Sequence, residues 1–155
     1  MKMTDAEILH NIKQKFHISE FVGPQVYKKY GDDAWKFIDI RLLQTIDVLR
    51  YWIDKPITIN NYYWGGSFKQ RGLRTNLGSI FMGKFKKGIL YLSAHVLGKA
   101  VDFDVQGMTA IEVRNWIVAN QKIFPFKIRL ETGVNWVHLD IISEEKNPKI
   151  YKFIP

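Results

Sequence analysis

At 155 residues, 46% of them hydrophobic and 25% charged, the chain has the composition of one globular domain long enough to bury a core, which excludes a disordered segment. It has no cysteine, so disulfides, thiolate nucleophiles and cysteine-type structural zinc sites are excluded together. The net charge of +8 points to solubility alone or to an anionic partner, whether nucleic acid, anionic lipid or a bacterial wall.

The lysines are scattered and form no arginine-rich block, which argues against a specific nucleic-acid partner. Apolar runs are short and interrupted, so no membrane-spanning helix and no stable membrane insertion is expected. The opening Met1-Lys-Met-Thr-Asp-Ala-Glu carries acids where a secretory signal has its apolar run, so no signal peptide is expected.

In chain order, Thr4-Asp-Ala-Glu7 forms a capping box, and Ile8, Ile12 and Phe16 follow at helical spacing. Gly23-Pro24 is a break. Trp35, Ile38, Leu42, Ile46, Leu49 and Ile53 recur at steps of three and four, which predicts one helix from about Asp33 to Ile53. Pro56 ends it, and Ile57–Asn60 is a short strand. Residues 61–92 are glycine-rich and irregular, a loop long enough to be functional.

Lys99–Val105 has the pattern of a strand, Thr109-Ala-Ile-Glu112 is a second capping box opening a helix to about Gln121, and three strands follow near 126–130, 135–141 and 149–153. No repeat, low-complexity tract or linker interrupts the chain. The expected architecture is a single α+β domain over 1–155, with a helical part (1–55) and a second part (56–155) holding a small, mainly antiparallel sheet with helices packed on one side.

The chemistry lies in Ser93-Ala-His95-Val-Leu-Gly98-Lys-Ala100-Val-Asp102 and in Trp136-Val-His138-Leu-Asp140. Strand alternation puts Trp136, His138 and Asp140 on one face and the apolar Val137, Leu139 and Ile141 on the other. In the preceding strand Ala100, Asp102 and Asp104 share a face, so pairing the two strands would bring Asp102 to His138. His95, on the turn entering its strand, could swing over that face, and Gly98 would let the backbone bend or approach closely beneath a metal. Two imidazoles and a carboxylate suit zinc and leave a position open for water, the mark of a catalytic site. The other histidines, His10 and His17, lie in or just after the first helical region with no carboxylate pattern. Trp136 fits packing or a cleft wall.

The pattern Ser-x-His-x-x-Gly-x-Ala-x-Asp with a later Trp-Val-His resembles the zinc D-alanyl-D-alanine peptidase superfamily. That group holds bacterial carboxypeptidases, phage endolysins, vancomycin-resistance dipeptidases and the hedgehog signalling domain. The resemblance covers roughly residues 60–141; the first 55 residues carry no motif of the family. It implies a hedgehog/DD-peptidase-like fold, Zn2+ held by His95, Asp102 and His138, and hydrolysis of a peptide bond in bacterial peptidoglycan stem peptides, by an endopeptidase or a carboxypeptidase.

Many members carry the catalytic carboxylate three residues before the last histidine, where this chain has Asn135. Glu131 is the base that the resemblance leaves, as in members whose glutamate closes the preceding strand, and Asp140 is a weaker candidate. The resemblance also implies an arginine clamp on the substrate, Arg74 or Arg71, and a hydrogen bond from Ser93 near the metal. A monomer made in the cytoplasm and acting on the wall after release is expected. The other outcome, suggested by Asn135, is a zinc-containing binding domain of the same fold without turnover.

Overall fold

The computed structural model describes residues 2–155. Five α-helices, α1 (Asp5–Lys13), α2 (Pro24–Tyr30), α3 (Ile40–Ile53), α4 (Ser79–Lys86) and α5 (Ala110–Ala119), accompany five strands: β1 (Ile57–Thr58), β2 (Ala100–Val105), β3 (Ile128–Glu131), β4 (Val137–Asp140) and β5 (Ile150–Phe153). The sheet order is β1-β2-β4-β3-β5. Only the outer β3–β5 pair is parallel, so the expected antiparallel sheet is a mixed one.

Both capping boxes form. The Thr4 and Thr109 hydroxyls accept from the amides of Glu7 and Glu112, whose carboxylates reach back to the cap amides, and so fix the starts of α1 and α5. Pro24, at the first position of α2, turns the Gly23 break into a helix start.

The helix expected from Asp33 to Ile53 is broken. Residues Gly31–Phe37 wind as a 3-10 helix, Ile38 is extended (φ −101°, ψ 130°), and Asp39 caps α3 by accepting from the Arg41 amide. Trp35 and Ile38 are nevertheless buried with the α3 residues. A 3-10 turn returns a side chain every third residue, so the apolar periodicity passes through the break unaltered. The irregular stretch 61–92 contains a helix that its composition hid, α4, in which no residue is buried.

One apolar core joins the two parts of the chain. Ile8, Ile12, Leu42, Ile46 and Leu49 from the N-terminal helices pack in the same cluster as Val101, Phe103, Leu130, Val137 and Leu139 from one face of the sheet and Val113 and Ile117 from α5. Buried residues from both parts of the chain thus belong to a single cluster. Among the described residues no helix is long and apolar enough to cross a membrane.

The opposite sheet face is polar, and two backbone contacts with the N-terminal part set its edge. Gly72 lies where a Cβ would come within 2.1 Å of the Phe21 carbonyl oxygen, and the Leu73 amide donates to that oxygen at 2.8 Å. Gly98 has φ +66°, and a Cβ there would meet the Phe37 carbonyl oxygen at 2.1 Å. Gly98 thus bends the backbone, as expected, and its close approach is to the 3-10 segment. Buried Asn60 ties the same region together, donating to the Val22 carbonyl and accepting from the Arg71 amide.

Candidate metal centre

The antiparallel β2–β4 register sets Asp102 directly opposite His138 and Ala100 opposite Asp140, as alternation predicts. His95 arrives from the turn before β2. Its position is held from two sides: the Arg74 amide donates to its carbonyl, and its Nδ1 lies 2.8 Å from the Gly72 carbonyl oxygen. All three side chains are buried.

The geometry of the three is that of a ligand set. His95 Nε2 and His138 Nδ1 are 3.2 Å apart, and they lie 3.2 and 2.8 Å from Asp102 Oδ1. A carbonyl can only accept, so His95 carries its proton on Nδ1 and turns the Nε2 lone pair inward. His138 Nε2 faces the Asp140 carboxylate at 2.9 Å, so when the ring is neutral with its proton there, the Nδ1 lone pair also turns inward. Two lone pairs and an anionic oxygen thus face one another at hydrogen-bond distance. Such a trio needs a cation or an extra proton between its members. A tetrahedral zinc with bonds of ~2.0–2.1 Å sets its ligand atoms about 3.3 Å apart, close to these edges. His95, Asp102 and His138 could hold a metal ion, and the partner on each histidine's outer nitrogen is the arrangement that metal-binding histidines use.

Electrostatics point the same way. Burial opposes the charged form of His138, but its hydrogen bonds to Asp102 and Asp140 outweigh that and push it up to about 9. Burial would raise Asp102, yet the hydrogen bonds of His138 and His95 hold it well below the usual carboxylate range. Asp140 is likewise lowered against its burial, by His138 and by Arg129.

No protein-family model, no curated protein and no solved structure matches the chain. Residue geometry therefore carries the functional reading.

The trio lies in a cleft of about 510 Å³ that also takes in Ser93, Glu131 and Trp136. Glu131 stands at the end of β3, two residues from Arg129 and so on the same face, beside β4. Asn135 is elsewhere: together with Arg71 it lines a neighbouring cleft of about 620 Å³, which shares Arg74, Asp102 and Trp136 with the first. Trp136 borders both clefts, is only partly buried and is no member of the apolar core, so it is a wall and not packing.

The arginines have partners already. Arg74 donates to Asp102 Oδ2 at 2.9 Å, to the Tyr91 hydroxyl at 2.9 Å and to the Gln70 carbonyl at 2.8 Å. It therefore fixes which carboxylate oxygen Asp102 turns to the histidines. Arg71 pairs with Asp104 at 2.6 Å and stacks on Phe68, while its carbonyl accepts from the Asp102 amide. The Ser93 hydroxyl accepts from the Val96 amide at 3.4 Å, in the turn that carries His95.

Arg129 and Arg114 of this centre were not found by the motif, and Asp140, which the motif contains, has a role other than the one expected. Asp140 is fully buried, bonds His138 and takes a two-pronged hydrogen bond from Arg129 at 2.8 and 2.9 Å. It orients a ligand and is not a free base. Arg129 had a usable signal, since strand alternation puts it on the face of Glu131. Buried Arg114 had none: from α5 it donates to the carbonyls of Val134 and Trp136 and fixes the turn before β4.

Proposed function

We propose that the protein is a zinc-dependent peptidase that hydrolyses a peptide bond in bacterial peptidoglycan stem peptides, built on the hedgehog/DD-peptidase-like fold its motifs resemble. The observation that carries the reading is the inward-facing set of His95 Nε2, His138 Nδ1 and Asp102 Oδ1 in an open cleft that Glu131 also lines. Two histidines and one carboxylate fill three positions of a four-coordinate ion and leave one for water or substrate. When bound there, zinc supplies Lewis acidity, which polarises a carbonyl oxygen and makes water easier to deprotonate.

The chain's own residues do the rest. Glu131 takes a proton from the attacking water and returns it to the departing amine. Asp140, locked by Arg129, keeps His138 in the tautomer that leaves Nδ1 free. Arg74 holds Asp102 and keeps one N–H on each terminal nitrogen for a substrate oxygen, with Ser93 beside it in the cleft. Arg71, committed to Asp104, shapes the adjoining cleft where a longer peptide would run. The protein acts as a monomer on the wall after release from the cytoplasm.

The placement of Asn135 outside the Glu131 cleft favours one second reading, a zinc-containing binding domain without turnover. Digestion of purified peptidoglycan with and without a chelator, with fragments identified by mass, separates the two. Turnover predicts new amino termini that vanish with the chelator, and in Glu131→Gln a fall of 100-fold or more with zinc still bound. Unchanged activity in Glu131→Gln would remove that residue from the mechanism, and intact wall fragments with full zinc occupancy would establish the binding domain.

A further inference from the structure

The positive charge of this chain is local. From Lys55 to Val101 there is no Asp or Glu and there are eight basic residues, equal to the whole net charge of +8, of which Arg71 and Arg74 pair with Asp104 and Asp102 just outside the segment. The remaining 15 basic residues are matched by the 15 acidic ones. The basic segment contains α4, a helix with no buried residue.

Around α4 the charge is interleaved with uncovered apolar side chains. Leu77, Phe85, Leu90 and Leu92 are 62%, 68%, 89% and 67% exposed, with Ile89 beside them. Lys84, Lys86 and Lys87 share this stretch, are exposed, and have no carboxylate partner among the described residues. The inner side of the helix is only half-covered, with Phe81 edge-on to Tyr91 at 5.7 Å. A segment that is apolar, cationic and unpacked has no reason to be exposed for folding. A polyphosphate would use the lysines and leave the leucines and Phe85 in water. A lipid-water interface takes both: apolar side chains enter the acyl boundary while lysines pair with anionic headgroups.

We propose that residues 77–92 form a docking surface for an anionic bilayer, seated at the interface without spanning it. The surface adjoins the metal cleft, since Tyr91 and Leu92 also line that cleft, but the proposal is independent of any turnover there.

The test is sedimentation of the full chain with vesicles of phosphatidylcholine alone or with one quarter phosphatidylglycerol, in 0.1 M salt. Two variants are compared, Phe85→Ser/Leu90→Ser and Lys84→Gln/Lys86→Gln/Lys87→Gln, each checked for an unchanged circular dichroism spectrum. The wild type binds the anionic vesicles and only weakly the neutral ones. Each surface lysine contributes about fivefold, so the triple variant loses roughly 100-fold in partitioning. The double variant loses at least about tenfold from its buried apolar area. Equal binding to both vesicles overturns the proposal, as does no binding to either. A double variant that binds like the wild type overturns it in favour of a simple polyanion site. A vesicle-free dimer that Phe85→Ser dissolves also overturns it, in favour of a second copy covering the patch.

Discussion

Metal uptake by this protein should be coupled to the release of one proton, and the coupling is set by His138. The gap between His138 Nδ1 and Asp102 Oδ1 is 2.8 Å, and the two carboxylates on either side of the ring push the imidazole up to about 9 against its burial. At pH 7 such a group is about 99% protonated, so a metal ion binds by displacing that proton. The affinity for zinc should therefore rise about tenfold per pH unit between pH 7 and 8.5 and flatten above 9. The same proton stabilises the metal-free fold. His138 is raised from its ordinary 6.5, so its contribution is complete below pH 6.5 and is lost as pH rises through about 9. The full contribution is on the order of 3 kcal/mol. Calorimetric zinc titrations in buffers of different ionisation enthalpy count the protons directly, and thermal melts of chelator-treated protein from pH 6 to 9 follow the stability. No proton released at pH 7, with a flat affinity profile, would mean that His138 is neutral before metal arrives and that this account of the trio is wrong.

Asp140→Asn removes the charge that orients His138 and leaves Arg129 without its two-pronged partner; zinc affinity at pH 8.5 should fall 10- to 100-fold, read by competition with a chelating dye. His95→Ala should abolish tight zinc binding while keeping the fold, checked by the same dye and by circular dichroism. Gly98→Ala should destabilise by about 3 kcal/mol or more, because its φ of +66° and the Phe37 carbonyl at 2.1 Å both oppose a Cβ. Gly107→Ala has φ +74° but open space around it, and should cost only about 1 kcal/mol. Urea unfolding of the pair separates backbone conformation from collision, and equal losses would show that the Phe37 contact is loose.

The parts of this molecule legible in the sequence are those written in short-range chemistry. Thr4 and Thr109 announce their helices because a capping box is complete within four residues. Asp102 and His138 could be paired because alternation along two strands leaves little freedom in which faces meet. The 3-10 segment before α3 was hidden because its apolar spacing imitates a helix, and α4 because none of its residues is buried and so it shows no core-facing pattern. Arg74 was legible as a residue of the site but not in its role: that it grips the outer oxygen of Asp102 depends on the fold of residues 70–74, which no local rule specifies. Arg114 and Arg129 act on the site across the sheet or from a distant helix, and only three-dimensional contact reveals them.

The N-terminal helices reach the site through Phe21 and Phe37, and in both cases by the carbonyl oxygen, not the ring. Every residue type owns that atom. The identities of residues 21 and 37 are thus constrained by the volume they fill, while the registration of the metal loop demands only that the opposing positions, 72 and 98, lack a side chain. A scaffold that works through its main chain can exchange side chains of like volume in its core without disturbing the chemistry it positions. The first 55 residues can therefore be indispensable to the site while carrying no signature of it.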